Sequence, residues 1–242
     1  MLLMEEFIRT ELIIGKEALE KMAQARVAVF GVGGVGGYAV EGLARTGIGT
    51  LDLIDNDDVN LSNINRQIIA TQDSVGLKKV DVAKRRVLSI NPNIAVNTYD
   101  CFYLPEKRDQ FDFTQYDYIV DAIDTVTAKL DIIETAKKLD IPIISAMGCG
   151  NRLDPTKVVI TDIYKTYGDP LAKIMRKELK ERRIKKLDVV YSTEKPLKPL
   201  FDIKEIEKDS ARRSIPGSSA FVPSAAGLAI AYFVTKKICE ID

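Results

Sequence analysis

The 242-residue chain carries 35 Lys and Arg against 35 Asp and Glu, with 46% hydrophobic and 29% charged positions. That balance excludes a disordered tail, a collagen-like repeat and a strongly basic histone-like protein. The absence of histidine removes mechanisms built on imidazole, from Ser-His-Asp and Cys-His nucleophiles to histidine zinc sites.

The opening segment MLLMEEFIRTELIIGKEAL sets acids among apolar residues at helical spacing and lacks the basic n-region and cleavage site of a signal peptide. Glu17–Ala25 reads as a short amphipathic helix leading into Arg26–Phe30, an apolar run of the kind buried on both faces of a sheet. A Gly-rich loop follows, then a helix over Val35–Arg45, a Thr46–Gly49 stop and a strand over Thr50–Ile54, which together make a βαβ unit. The alternation continues with a helix over Lys78–Ile90 ended by Asn91-Pro92, a strand over Ala95–Tyr99, a strand over Tyr118–Val120, a helix over Thr125–Leu139 and a strand over Pro142–Ser145. The economical solution is an α/β fold with a Rossmann-like doubly wound sheet, parallel in the N-terminal half.

Past Gly150 the pattern changes. Lys157–Ile160 and Leu187–Tyr191 read as strands separated by a charged helix over Leu171–Lys185, and neither precedes a regular crossover helix, so both are expected as antiparallel additions to the sheet. Ser192–Ser219, rich in Pro, Lys, Glu and Ser, reads as a long mobile loop before a last helix over Ala220–Ile238. One domain is expected: a helical arm over 1–25, a nucleotide-binding half over 26–150 and a substrate and dimer half over 151–242.

Cys101, Cys149 and Cys239 are odd in number and far apart, which matches no disulfide framework and no CxxC metal pair and points to a reducing, cytoplasmic setting. The longest apolar stretch, Ala220–Val234, contains Pro223, Ser224 and Gly227 and falls short of the ~20 residues that span a bilayer, so no stable membrane insertion is expected.

The loop Gly31-Val-Gly33-Gly34-Val-Gly36 holds GxGxxG between a strand and a helix, where backbone N–H groups and the helix N-terminus can face a phosphate. Asp55, ending the second strand, can accept ribose hydroxyls. These features alone say that a nucleotide binds, and they leave an NAD-binding redox protein open. The segment from Asp55 through Asp57, Asn63 and Arg66 to Gln67, followed by Gly76-Leu-Lys-Lys79 and Asp121-Ala-Ile-Asp124, narrows the choice. In these motifs, in order and spacing over residues 26–130, the chain resembles the ubiquitin-activating-like family of ATP-dependent adenylating enzymes.

The resemblance implies that a carboxylate attacks the α-phosphate of ATP, giving an acyl-adenylate and pyrophosphate, with cations and magnesium offsetting the phosphoryl charge. It assigns Arg66 and Lys79 to the phosphates, with Asn63 beside them, Asp55 and Asp57 to ribose, and Asp124 to magnesium. Arg9 resembles the N-terminal arginine that reaches the neighbouring subunit's ATP, which implies a homodimer. Each residue also has a purely structural reading. Lys78 and Lys79 can form a solvated helix face, Asp124 can cap the helix from Thr125, and Arg9 and Arg66 can be surface groups.

Further stretches, among them Ala44–Gly49, Asp154-Pro-Thr, Asp169-Pro-Leu-Ala and Tyr191-Ser-Thr-Glu194, resemble the branch of that family that dehydrates threonylcarbamoyladenosine in bacterial tRNA. The branch adenylates the modification's carboxylate and lets an attack within the modification release AMP, which needs no enzyme thiol. That agrees with the lack of zinc-binding CxxC pairs and of any cysteine between Tyr164 and Lys198. An activator of a small sulfur-carrier protein is the alternative within the family, and a sulfur-relay protein stays open as a further partner. Over Leu171–Lys198, ten basic residues face four acidic ones, a patch suited to an RNA backbone or to a plain solvated face.

Overall fold

The computed structural model describes residues 5–201 and 216–241. Two helices open the chain, α1 (Ile8–Ile14) and α2 (Lys16–Gln24). They lead into β1 (Arg26–Phe30), α3 (Gly36–Arg45), β2 (Thr50–Ile54), α4 (Lys79–Ile90) and β3 (Ala95–Tyr99). After two 3-10 turns come β4 (Tyr118–Asp121), α5 (Val126–Lys138), β5 (Ile143–Ala146), β6 (Val158–Asp162), α6 (Pro170–Glu181), β7 (Asp188–Ser192) and α7 (Phe221–Cys239). The predicted strands and helices all occur, with β1, β2 and β3 matching the expected ranges residue for residue. Of the predicted loop after β7, residues 193–201 and 216–219 carry no helix or strand, and 202–215 lie outside the described residues.

The described strands form one sheet in the order β3-β2-β1-β4-β5-β7-β6. Alternation explains the runs read as doubly buried. On β1, Val27 and Val29 join the core under α3, α4 and α7, and Ala28 and Phe30 join the core under α5 and α6. All four are 0% exposed.

The C-terminal additions differ from expectation in one respect. β6 pairs antiparallel with β7, Val158 opposite Ser192, but β7 itself runs parallel to β5, Ile144 opposite Asp188. The reason is α6. Its buried Ala172, Met175 and Leu179 pack on the sheet face, so α6 acts as the crossover that returns the chain in the parallel sense. Asp169 caps α6 by accepting from Ala172 N–H at 2.7 Å, and Pro170 follows at the first helical position, so the helix start is written locally.

The strand order reverses between β1, whose chain continues to β2, and β4, on its other side. In open α/β sheets such a switch point leaves a crevice beyond the strand C-termini. The glycine loop, Asp55 and the Ala122–Asp124 segment all leave the sheet there, after β1, β2 and β4.

Candidate active site

The glycines of the loop divide into two kinds. A Cβ on Gly36 would lie 1.8 Å from the Gly31 carbonyl oxygen, and one on Gly31, at φ +88°, would lie 2.8 Å from the Ala122 carbonyl, so both are demanded by packing. At Gly33 the nearest atom to such a Cβ is Gln67 Nε2 at 3.9 Å, while at Gly34 Pro223 Cβ would lie at 3.2 Å and Arg66 Cγ at 3.5 Å. The crowded pair shapes the turn and Gly33 faces room, which is the arrangement a phosphate needs.

Asp55 anchors that turn. Its Oδ2 accepts from Val32 N–H at 2.7 Å and its Oδ1 from Asp57 N–H at 2.9 Å. Burial pushes its carboxyl above the ordinary aspartate range, opposed by nearby Lys79 and by those two N–H groups. Lys79 arrives through a short ladder in which Val59 N–H donates to Leu77 O and Lys79 N–H to Asp57 O, with Gly76 at φ +85° turning the chain. Its ammonium is 2.6 Å from Asp57 Oδ2, with the lysine side chain only 6% exposed. Lys78 instead points outward to Asp58 at 3.0 Å and Asp100 at 3.3 Å. The two lysines, which share a solvated-face reading in the sequence, are thereby separated.

Asn63 braces the loop, its Oδ1 accepting from Asn60 N–H at 3.0 Å. Arg66 follows one turn later. Its Nη1 donates to Ser62 O at 2.9 Å and Asn65 Oδ1 at 3.0 Å, and no ion pair to a carboxylate is found for it among the described residues. Burial lowers its pKa, the signature of a cation desolvated without a compensating anion. Gln67 beside it is buried, its Oε1 without a hydrogen-bond partner among the described residues.

Asp124 is exposed just past the end of β4 and accepts from Thr125 Oγ1 at 3.5 Å. The helix cap is Thr125, so Asp124 does not serve as the N-cap its position suggested. An exposed, hard carboxylate suits magnesium, which takes one or two protein carboxylates and completes its shell with phosphates and water. Among the described residues no group of three or more His, Cys, Asp or Glu gathers as an all-protein metal cage.

Beneath the Ala122–Asp124 segment lies a set that the sequence reading missed. Lys129, 0% exposed, lies 3.0 Å from Asp121 Oδ2 and donates to Ile123 O at 3.0 Å. Ser145 Oγ donates to the same Asp121 oxygen at 2.6 Å. A second buried pair, Arg152 with Asp169 at 2.9 Å, supports the Gly148–Gly150 exit of β5. Cys149, on that exit, has its thiol pushed up to about 12 by burial, which leaves it protonated and poorly nucleophilic at neutral pH.

Arg9 stands apart from this set. It is exposed on α1, and Phe7, two residues before it, packs against Gly47, at the opposite end of α3 from the glycine loop. The ten residues of α3 span about 15 Å, so Arg9 lies well away from its own chain's loop. The basic segment is also not uniform. Arg182 is committed to Glu134 and Glu178, both at 2.8 Å, and Arg176 to the Thr166 carbonyl at 3.0 Å, whereas Lys173, Lys177 and Lys180 are exposed on one face of α6.

The ThiF family profile matches residues 7–240. The chain belongs to the ThiF family. Among relatives of this ThiF chain, the tRNA threonylcarbamoyladenosine dehydratase of Bacillus subtilis (strain 168) is 45% identical over 232 residues, which cover 93% of this chain and 91% of that protein. The Escherichia coli (strain K12) protein of the same name is 40% identical over 206 residues, covering 82% and 77%. The crystal structure of E. coli tRNA N6-threonylcarbamoyladenosine dehydratase in complex with ATP superimposes with a TM-score of 0.87 at 36% identity, covering 98% of this chain and 94% of that one. The complex of the same enzyme with AMP gives 0.88.

Proposed function

We propose that this ThiF-family chain is an ATP-dependent dehydratase that adenylates the carboxylate of threonylcarbamoyladenosine in tRNA and cyclises the modification. The observation that carries the chemistry is Arg66, a partly buried guanidinium with no carboxylate partner among the described residues, set against Gly34 of the glycine loop. A desolvated cation of this kind favours a polyphosphate. The substrate reading is supported by the relatives at 45% and 40% identity.

In this reading Gly33 and Gly34 let the backbone approach the phosphates, Gly31 and Gly36 hold the turn, and Asp55 accepts the ribose hydroxyls. Lys79, held by Asp57, and Arg66 offset charge on the α-phosphate and the departing pyrophosphate, with Asn63 keeping the Arg66 turn in register. Magnesium, when bound at Asp124 and the phosphates, supplies further charge neutralisation. The substrate carboxylate attacks the α-phosphorus and pyrophosphate leaves. A nitrogen of the modification then attacks the activated acyl carbon, the carboxylate oxygen departs with AMP, and a ring closes with net loss of water. No step needs an enzyme thiol.

The enzyme works in the cytoplasm as a homodimer in this reading. α7 leaves Phe221 55%, Leu228 49% and Tyr232 62% exposed along one side, an apolar stripe suited to a second copy. Arg9, remote from its own site, would complete the partner's. A sulfur-relay protein is a further partner compatible with this family. Among the described residues no helix is long and apolar enough to cross a membrane.

The test is to incubate the protein with ATP, magnesium and tRNA bearing the open-chain modification, then to weigh the nucleosides after digestion. Loss of one water from threonylcarbamoyladenosine, matched by AMP, is expected. AMP formation driven by a Gly-Gly-ended carrier protein, with the nucleoside unchanged, would overturn the reading.

A further inference from the structure

Tyr167 is a large aromatic residue left 61% exposed in the turn that leads into α6. Its ring packs edge-on against Tyr191, with centroids 6.1 Å apart and planes at 83°, and Tyr191 is itself only 2% exposed. A buried ring therefore fixes the orientation of an exposed one, which is how a stacking platform is held ready at small entropic cost. The backbone on either side is pinned as well. Thr166 O accepts from Arg176 Nη1 at 3.0 Å, and Asp169 both caps α6 and pairs with buried Arg152.

The position of this ring matters more than its exposure. Met147 N–H donates to Val190 O at 2.9 Å, so Tyr191 lies level with the exit of β5, at the same end of the sheet as the glycine loop and Asp124. Asp169 Oδ2 would lie 2.8 Å from a Cβ on Gly148, which ties the Tyr167 turn directly to that exit. β7 is two strands from β4, about 10 Å at the usual strand spacing. Lys165, two residues before the ring, is exposed. Lys173, Lys177 and Lys180 run away from it along one side of α6 at helical spacing. The pair Lys177–Glu181, at 3.9 Å and largely exposed, neutralises this stripe only weakly.

We propose that Tyr167 stacks on the adenine that carries the modification, while Lys165 and the α6 lysines hold the adjoining phosphates. This inference rests on the tRNA reading above. An aromatic face beside a line of cations is the chemistry that recognises an unstacked base in single-stranded RNA. The modification's carboxylate is then presented to the switch-point crevice from the β5–β7 side.

The experiment measures KM for modified tRNA, its salt dependence and the thermal stabilisation by ATP in three variants. Tyr167→Ala is expected to raise KM about tenfold, equivalent to about 1.4 kcal/mol, with ATP stabilisation and the salt slope as in the native protein. Tyr167→Phe keeps the ring and is expected to restore KM. The triple variant Lys173→Gln, Lys177→Gln, Lys180→Gln is expected to flatten the log–log salt slope by about 2, at roughly 0.7 per phosphate. A native KM in Tyr167→Ala, as for a surface that serves a protein partner, overturns the proposal, and so does a parallel loss of ATP stabilisation. A native enzyme that leaves the tRNA nucleoside unchanged overturns the underlying reading instead, which separates the two failures.

Discussion

Asp55, bonded to Val32 N–H, and Arg66, beside Gly34, both border the glycine loop and respond to burial in opposite electrical senses. Removing the guanidinium should relieve an uncompensated cation, so Arg66→Ala is expected to fold with a Tm at or slightly above the native one and to lose stabilisation by ATP. Retention of the full ATP shift in a melting experiment would remove Arg66 from the phosphate site. Burial raises the Asp55 pKa, so on acidification this carboxyl takes up its proton before an exposed aspartate does. The protonated form is a poorer acceptor for ribose hydroxyls, and ATP affinity should therefore fall as pH descends through that raised value. Titrating the ATP-induced shift in Tm across the acid range checks this, because Asp55→Asn should bind more weakly and lack that acid limb. Cys149 carries the opposite lesson. With its thiol pushed up to about 12, Cys149→Ala should keep ATP-dependent cyclisation at nearly the native rate. A folded variant without turnover would demand a covalent thiol step.

At the scale of an element, the glycine loop contains two different requirements under one motif. Gly36→Ala places a methyl group 1.8 Å from the Gly31 carbonyl oxygen, so a severe loss of stability is expected, with a marked fall in Tm or no soluble protein. Gly33→Ala meets no atom closer than 3.9 Å and should melt near the native Tm while weakening ATP binding. A Gly33→Ala protein that binds ATP normally would make that glycine a passive member of the turn. The same distinction applies to α6. Its exposed lysines are available to a polyanion, whereas Arg182 ties α6 to Glu134 on α5, so reversing its charge would perturb the α5–α6 contact and is a poor probe of RNA binding.

For the whole molecule, the apolar surface of α3 and that of α7 have different fates. Val40 and Leu43 are buried within the chain, and Gly42 lets α7 approach so closely that a Cβ there would lie 2.5 Å from Ala231 Cβ. Of these two helices α7 alone keeps an exposed apolar side, at Phe221, Leu228 and Tyr232, and that side is the one the proposed dimer would cover. If Arg9 acts across that interface, inactive Arg9→Ala and inactive Arg66→Ala chains should complement when mixed and reassembled. A random mixture of two-fold dimers restores one complete site in each mixed dimer, so about one quarter of native activity is expected. Persistent inactivity of the mixture, with dimers confirmed by sedimentation, would assign Arg9 to its own chain's surface.

Local patterning determined β1, α3 and β2 in this chain, because doubly buried strands, a glycine turn and a helix stop are all encoded within a few residues of where they act. The motif spacing from Asp55 to Asp124 was equally legible, and the structure sets Asp55 and Arg66 beside the glycine loop, with Asp57 and Lys79 against Asp55. Tertiary structure alone decided the rest. The direction of β7 depended on whether α6 packs on the sheet, which its charged outer face concealed. Lys129 reads as an ordinary helix lysine until Asp121, itself held by Ser145, and the Ile123 carbonyl meet its ammonium. Asp52, in the middle of β2, is tolerated at 0% exposure only because Arg26, Asn97, Tyr99 and Tyr116 donate to it from β1, β3 and the turn before β4. Lys78 and Lys79, adjacent in the chain, differ in the carboxylates that long-range folding brings to each. A charge in a sequence has no partner until the chain closes, and the free energy of burying it is set almost entirely by that partner.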